Sequence, residues 1–200
     1  MAQRGKFIVV FGPTGSGKSV LLNYVYEYFP NLVFPSSYTT RERRPSNENS
    51  SYKFLSTEEF ENLVTSDGFL EWAQYGANYY GTPKDEVLDA LVEGKILLKE
   101  IEVQGVRQIQ EKLPGDVVLI YIDAGSWEEL EQRIRARAPI SEEELEKRKK
   151  RYEDEVTFKD VSDFVIANPS GKLEEAKAAL KSALTSIIAD SENEGISPRA

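Results

Sequence analysis

Residues 12–19, Gly12-Pro13-Thr14-Gly15-Ser16-Gly17-Lys18-Ser19, constrain this chain more than any other stretch. They match G-x-x-x-x-G-K-[ST], a phosphate-binding loop whose glycines let successive backbone amides turn inward around phosphate oxygens. Such a loop works only between a strand and a helix, because the helix start aims its positive dipole end at the same anion. The flanks supply both elements. Residues 7–11, FIVVF, form a continuous apolar run between Gly5 and Gly12, which suits a strand buried on both faces. The stretch SVLLNYVYEYF then spaces Leu21 with Val25, and Leu22 with Tyr26 and Phe29, as one helix face. From average residue usage, a chance match to the motif occurs in roughly one chain of this size in a hundred. Lys18 is placed to reach β- and γ-phosphates, and the Ser19 hydroxyl to ligate Mg²⁺. The loop predicts nucleoside triphosphate binding and leaves any second substrate open.

The rest of the chain repeats the alternation. Residues 96–98, 117–122 and 164–167 read as further buried strands, with helices over roughly 84–93, 103–113, 126–137 and 171–189. Ser126 with Glu129, and Ser141 with Glu144, fit the capping box that satisfies free amides at a helix start. Apolar strands separated by helices of this length predict an α/β fold: a mainly parallel sheet flanked by helices, of the P-loop NTPase type. At 200 residues the chain fits one domain. It contains no cysteine and no histidine. That excludes disulfides, thiolate nucleophiles, Cys-ligated metal, Ser-His-Asp triads and imidazole acid–base chemistry. Catalysis must draw on carboxylates, Lys, Arg, hydroxyls, backbone amides or a bound cation. A net charge of -9 argues against nucleic acid or an anionic membrane as partner. No apolar run approaches a signal-peptide core or a membrane span, so a soluble, cytoplasmic protein is expected.

Two stretches break the rhythm. Residues 34–82 are rich in Ser, Thr, Tyr, Asn and Arg, and YKFLS, FLEWAQY and NYYGT read as short half-exposed strands around a small helix at 58–65. This predicts an insertion in the α/β core. Arg41, Arg43 and Arg44 in its loop are either surface charges or bidentate contacts to an anionic acceptor; two unit charges 4 Å apart interact by about 4 kcal/mol at an effective dielectric of 20. Tyr79-Tyr80-Gly81-Thr82 is either packing or a set of hydroxyl donors. Glu71, between Leu70 and Trp72, offers a carboxylate in an apolar setting that can accept a pair of N–H donors, which guanine presents on its Watson–Crick edge and adenine does not. Residues 138–152, APISEEELEKRKKRY, show no apolar stripe wide enough to pack firmly, and read as a solvated helix face or a mobile flap. The tail SENEGISPRA, 191–200, is expected to fray.

Taken together, FGPTGSGKS, SYTTRERRP, EEFENLV, FLEWAQYGANYYGTP, KEIEVQGVRQI, RIRAR and the strand ending at Asn168 stand in the order and spacing of the guanylate kinase family. The resemblance covers about residues 7–188. It implies a core over 5–35, 83–137 and 153–190, a GMP-binding insertion of mixed strands over 36–82 and a helical lid over 138–152. It also implies transfer of the γ-phosphoryl group of MgATP to GMP or dGMP. By the same resemblance, GMP phosphate contacts fall on Arg41, Arg44, Tyr52 and Tyr80, and guanine contacts on Ser37, Glu71, Thr82 and Glu102, with Gly81 letting the backbone come close. Lid and catalytic arginines fall on Arg133, Arg137 and Arg148, with Lys18 and Arg41 also acting on the reacting phosphates. Gly12, Pro13, Thr14, Gly15, Ser16, Gly17, Lys18, Ser19 and Asn168 fall on ATP.

Three departures stand out. The loop before Tyr52, PSNENSSYKF, is about one residue short, Glu102 replaces the usual Asp, and Ala138-Pro139 follows Arg137 where Gly is usual. Two rival readings are an interaction module that binds a peptide without catalysis, and a P-loop kinase with another acceptor. The intact Gly17, Lys18 and Ser19 speak against the first. The effect of altering Glu71 decides the second.

Overall fold

The computed structural model describes residues 4–43 and 52–193. The strands are β1 (Lys6–Phe11), β2 (Ser37–Thr39), β3 (Tyr52–Phe54), β4 (Phe69–Tyr75), β5 (Asn78–Pro83), β6 (Ile96–Glu100), β7 (Val117–Asp123) and β8 (Phe164–Ala167). The helices are α1 (Lys18–Tyr28), α2 (Thr57–Thr65), α3 (Lys84–Val92), α4 (Val103–Lys112), α5 (Trp127–Arg137), α6 (Glu142–Val156) and α7 (Leu173–Asn193). Two four-stranded sheets result, in the orders β6-β1-β7-β8 and β3-β2-β5-β4. The first is the expected parallel sheet, and the second is mixed. The chain divides into two compact units, Met1–Ile8 with Leu32–Val117 and Val9–Asn31 with Val118–Ala200.

In the first unit the mixed sheet presents two unlike faces, as period-two alternation requires. One face is aromatic: Phe60 of α2 stacks on Phe69 at 4.4 Å and on Tyr79 at 5.3 Å, while Tyr38 and Trp72 meet those rings edge-on. Aromatic pairs at such spacings contribute about 0.5–1.5 kcal/mol each beyond the area they bury. Helix α2 starts with a complete capping box, Ser56 with Glu59. Strand β2 is absent from the sequence reading, because SYT is too short to show a period.

In the second unit, Phe11 packs edge-on against Tyr121 and Phe158 at 5.5 and 6.2 Å. Strand β8 lies parallel to β7, with Ile120 opposite Phe164 and Asp123 opposite Ala167. The capping box Ser126–Glu129 forms as expected. Helix α7 runs to Asn193, further than its sequence suggests, so the expected frayed tail is helical in its first three residues and lies outside the described residues thereafter. A second correction concerns 138–152. It is not a bare charged flap, because Leu145 is buried and joins Ala124, Leu130 and Ile134, with Ile140, Trp127 and Tyr152 packed around them. Leu145 and Tyr152 lie two helical turns apart on one face of α6, a stripe so narrow that the surrounding charge hides it.

Candidate active site

The phosphate loop of the second unit has the backbone its glycines permit. Gly12, Gly15 and Gly17 take φ of 140°, 95° and 92°, values that side chains other than glycine rarely tolerate. Space forbids substitution as well: a Cβ on Gly12 would lie 2.5 Å from the Ile122 carbonyl oxygen, and one on Gly17 2.4 Å from Asn168 Nδ2. Lys18 is buried, and its Nζ donates to the carbonyls of Gly12 at 2.6 Å and Pro13 at 3.1 Å. The ammonium thus sits folded over the loop's own first residues. Ser16 Oγ is buried with no partner among the described residues, an unsatisfied hydroxyl in the phosphate loop. The Ser19 side chain is exposed at the start of α1.

Asn168, just past β8, is buried; its Nδ2 donates to Ser16 O at 2.7 Å and its backbone N–H to Asp123 O at 2.7 Å. Its side chain therefore braces the phosphate loop. Arg133 donates through Nη2 to Asn168 O at 2.7 Å and through Nε to Ser170 Oγ at 3.1 Å. Of the lid and catalytic arginines Arg133, Arg137 and Arg148, the structure brings Arg133 beside the loop's brace. Arg137 is exposed at the last residue of α5, and Arg148 on α6 pairs with Glu144 at 3.2 Å.

The first unit carries the other expected residues, and the strand register brings four of them into line. Ser37 lies opposite Tyr52, Tyr38 opposite Gly81, and Thr82 opposite Glu71. One step along β2 from the Tyr38–Gly81 pair sets Ser37 beside Thr82. Tyr52, Ser37, Thr82 and Glu71 therefore form one row across all four strands, on the face away from the aromatic stack. Residues that oppose each other in a sheet share a face. Tyr80, two residues from Thr82, is on the same face and touches Tyr75 edge-on at 5.8 Å. Arg41 follows β2 and places its guanidinium 5.7 Å from the Tyr52 ring and 5.9 Å from Phe54. Arg44 and most of the short loop before Tyr52 lie outside the described residues.

Glu71 is buried, with Thr82 Oγ1 donating to its Oε1. Burial pushes its carboxyl above the usual carboxylate range, and the Thr82 hydroxyl and the Lys99 charge oppose that shift. A Cβ on Gly105 of α4 would lie 2.6 Å from Glu71 Oε2, so glycine there makes room for the carboxylate. Three residues further along α4, Gln108 clamps the outer edge of β4: Oε1 accepts from Trp72 N–H at 3.2 Å, and Nε2 donates to Trp72 O at 2.9 Å. Lys112 adds a donor to Phe69 O at 2.7 Å. The sequence reading passed over Gln108 and Lys112; their spacing from Gly105, at i+3 and i+7, was the available signal.

Two of the expected residues stand apart from the row. Gly81 lies on the aromatic face, where a Cβ would strike the Phe69 ring at 2.8 Å, so packing there demands glycine. Glu102 is exposed at the N-cap of α4, outside the row. Among the described residues no cluster of three or more acidic side chains could cage a metal ion.

Comparison with known proteins points to one family. The family model described as guanylate kinase matches residues 4–187. A guanylate kinase from Synechococcus sp. (strain JA-3-3Ab) is 41% identical over 184 residues, covering 92% of this chain and 83% of its own. One from Rhizobium meliloti (strain 1021) is 42% identical over 169 residues, covering 84% and 77%. The crystal structure of guanylate kinase from Anaplasma phagocytophilum superposes with a TM-score of 0.69 at 27% identity, covering 92% of this chain and 86% of that one.

Proposed function

We infer how the site works from one premise: the chain belongs to the guanylate kinase family, and it transfers the γ-phosphoryl group of ATP to GMP in nucleotide metabolism. The single observation that carries the acceptor reading is the row Tyr52, Ser37, Thr82 and Glu71. An ionised Glu71 accepts the N1–H and N2–H donors of guanine, Thr82 fixes that carboxylate, and Ser37 adds a hydroxyl to the base edge. Arg41 and Arg44 hold the acceptor phosphate, with the hydroxyls of Tyr52 and Tyr80 beside it. dGMP fits the same contacts, since none of them needs a ribose 2′-hydroxyl.

The donor half follows from the phosphate loop. ATP phosphates take the inward amides of residues 12–19, Lys18 exchanges its loop carbonyls for phosphate oxygens, and Ser16 Oγ finds the partner it lacks. The loop suits Mg²⁺ as well, because that ion is usually held by one or two protein oxygens together with substrate phosphates. Ser19 would supply the protein oxygen. When bound, the ion neutralises charge on the phosphates that are transferred and left behind. Asn168 Oδ1 meets the adenine amino group.

No side chain becomes a nucleophile in this scheme. A phosphate oxygen of GMP attacks the γ-phosphorus in line, while Lys18, Arg41, Arg133, Arg137 and Arg148 stabilise the charge that spreads over the transferring group. Residues 138–152 act as the lid, anchored through Leu145 and Tyr152, and its closure keeps water from the γ-phosphoryl group. The reaction belongs in the cytoplasm, with nucleotides as the partners and neither nucleic acid nor membrane. That reading draws on the charge of -9, and among the described residues no helix is long and apolar enough to cross a membrane. The test is direct: purified protein with ATP, Mg²⁺ and GMP should form ADP and GDP one for one. ADP formation that does not depend on GMP would refute the scheme.

A further inference from the structure

Lys99 is the one buried ammonium outside the phosphate loop among the described residues. It lies on β6, and its Nζ donates to Ser36 O. Helix α3 grips the same serine from its other groups: Ser36 N–H donates to Glu86 Oε1 at 2.9 Å and Ser36 Oγ to Glu86 Oε2 at 2.5 Å. The carbonyl, amide and hydroxyl of Ser36 are thus all held, one residue before Ser37 in the row. The charged groups that face Lys99 are Glu71 from β4 and Glu86 from α3, and each favours its ammonium form. Lys99 in return favours the carboxylate form of Glu71, against the burial that would protonate it.

The protonation state of Glu71 decides which base the row can read. An ionised carboxylate only accepts, which matches the two N–H donors of guanine. A protonated one offers a donor and an acceptor, the complement of adenine's N1 and N6–H. We propose that Lys99 is a positioning and specificity-determining residue of the acceptor site, which fixes the Ser36–Ser37 segment and holds Glu71 in the guanine-reading form. This builds on the reading of Glu71 as the guanine acceptor.

The missing histidines and cysteines leave a clean window for the test. Burial pushes Lys99 down to about 8, where few other groups in this chain titrate. Steady-state kinetics with GMP and with AMP as acceptor, from pH 6.5 to 9, would be measured for the wild type, Lys99→Met, Lys99→Arg and Glu71→Gln. Wild-type kcat/KM for GMP at pH 7, where Lys99 is charged, sets the reference for the variants. Lys99→Met should already be down about tenfold at pH 7, through KM with kcat within twofold, and should recover in part toward pH 9 as the rising pH ionises Glu71. Its preference for GMP over AMP should shrink by a similar factor, and its KM for ATP should hold. Lys99→Arg, charged throughout, should recover part of the GMP KM and show no such rise with pH.

A Lys99→Met enzyme whose GMP KM does not improve from pH 7 to pH 9 overturns the claim that Lys99 holds Glu71 ionised. So does a Lys99→Met enzyme with the wild-type GMP KM. Glu71→Gln separates the two levels of inference. If it leaves the GMP KM unchanged, the guanine reading itself fails; if it raises KM while Lys99→Met does not, only the role of Lys99 fails.

Discussion

Replacing Lys99 by Met should make the fold more stable while it weakens GMP binding. The size of the gain follows from the ammonium's burial. Its pKa falls from 10.5 to about 8. At about 1.4 kcal/mol per pKa unit, the folded state gives up about 3 kcal/mol at neutral pH to keep this charge inside. Met preserves the length of the chain without the charge. Against the gain stands the Ser36 carbonyl, which loses its donor at a cost of about 1 kcal/mol. The net expectation is a variant more stable by about 2 kcal/mol at pH 7. The sign with pH follows from proton uptake. Between pH 8 and 10.5 the unfolded chain holds a proton at this position that the folded one has lost, so the wild type gains stability relative to the variant as pH rises. The burden is fully present below pH 8 and is relieved above it. Urea unfolding of both proteins at pH 7 and pH 10 measures the effect. The gap between them should close by about 2–3 kcal/mol over that interval. Parallel pH dependences, or a variant less stable than wild type at pH 7, would refute this account of Lys99.

Other expectations concern the row, the clamp and the α6 anchor. Glu71→Gln should raise the KM for GMP by tenfold or more, while a thermal shift titration shows ATP binding intact. Gln108→Leu leaves the amide and carbonyl of Trp72 without their partners on β4, so it should lose about 1–3 kcal/mol of stability in urea titrations. It should also raise the GMP KM more than it lowers kcat, because it frees the strand that carries Glu71. Leu145→Ala removes the anchor of α6 and should cost about 2–4 kcal/mol by calorimetry. Activity measured well below the melting temperature should then show more ATP hydrolysis per GDP formed.

Much of this was legible in the sequence, and the reason differs from element to element. The phosphate loop could be read because its requirements are local: glycine at positive φ, a lysine and a hydroxyl at fixed offsets, a strand before and a helix after. The alternation of strands and helices was legible for the same reason, each element showing its own period. Leu145 and Tyr152 were hidden because two apolar residues two turns apart do not make a visible stripe among so many charges. Strand β2 was hidden because three residues cannot display an alternation at all.

The acceptor row is a different case. Each of its residues drew attention by type or by family pattern, yet nothing in the sequence could say that Tyr52, Ser37, Thr82 and Glu71 stand side by side. That depends on register between strands far apart in the chain, which turn geometry and packing set together. Gly81 shows what a family pattern leaves out. The resemblance accounts for it by backbone approach, and alternation gives it a packing reason as well, on the other face against Phe69. Lys99 shows the converse. A lysine in the run ILLKE looks like the solvated end of a strand, and the structure buries it beside two carboxylates. A charge that costs stability where it sits, in a core that could have held a methionine, calls for a reason other than folding, and the ionised state of Glu71 supplies one.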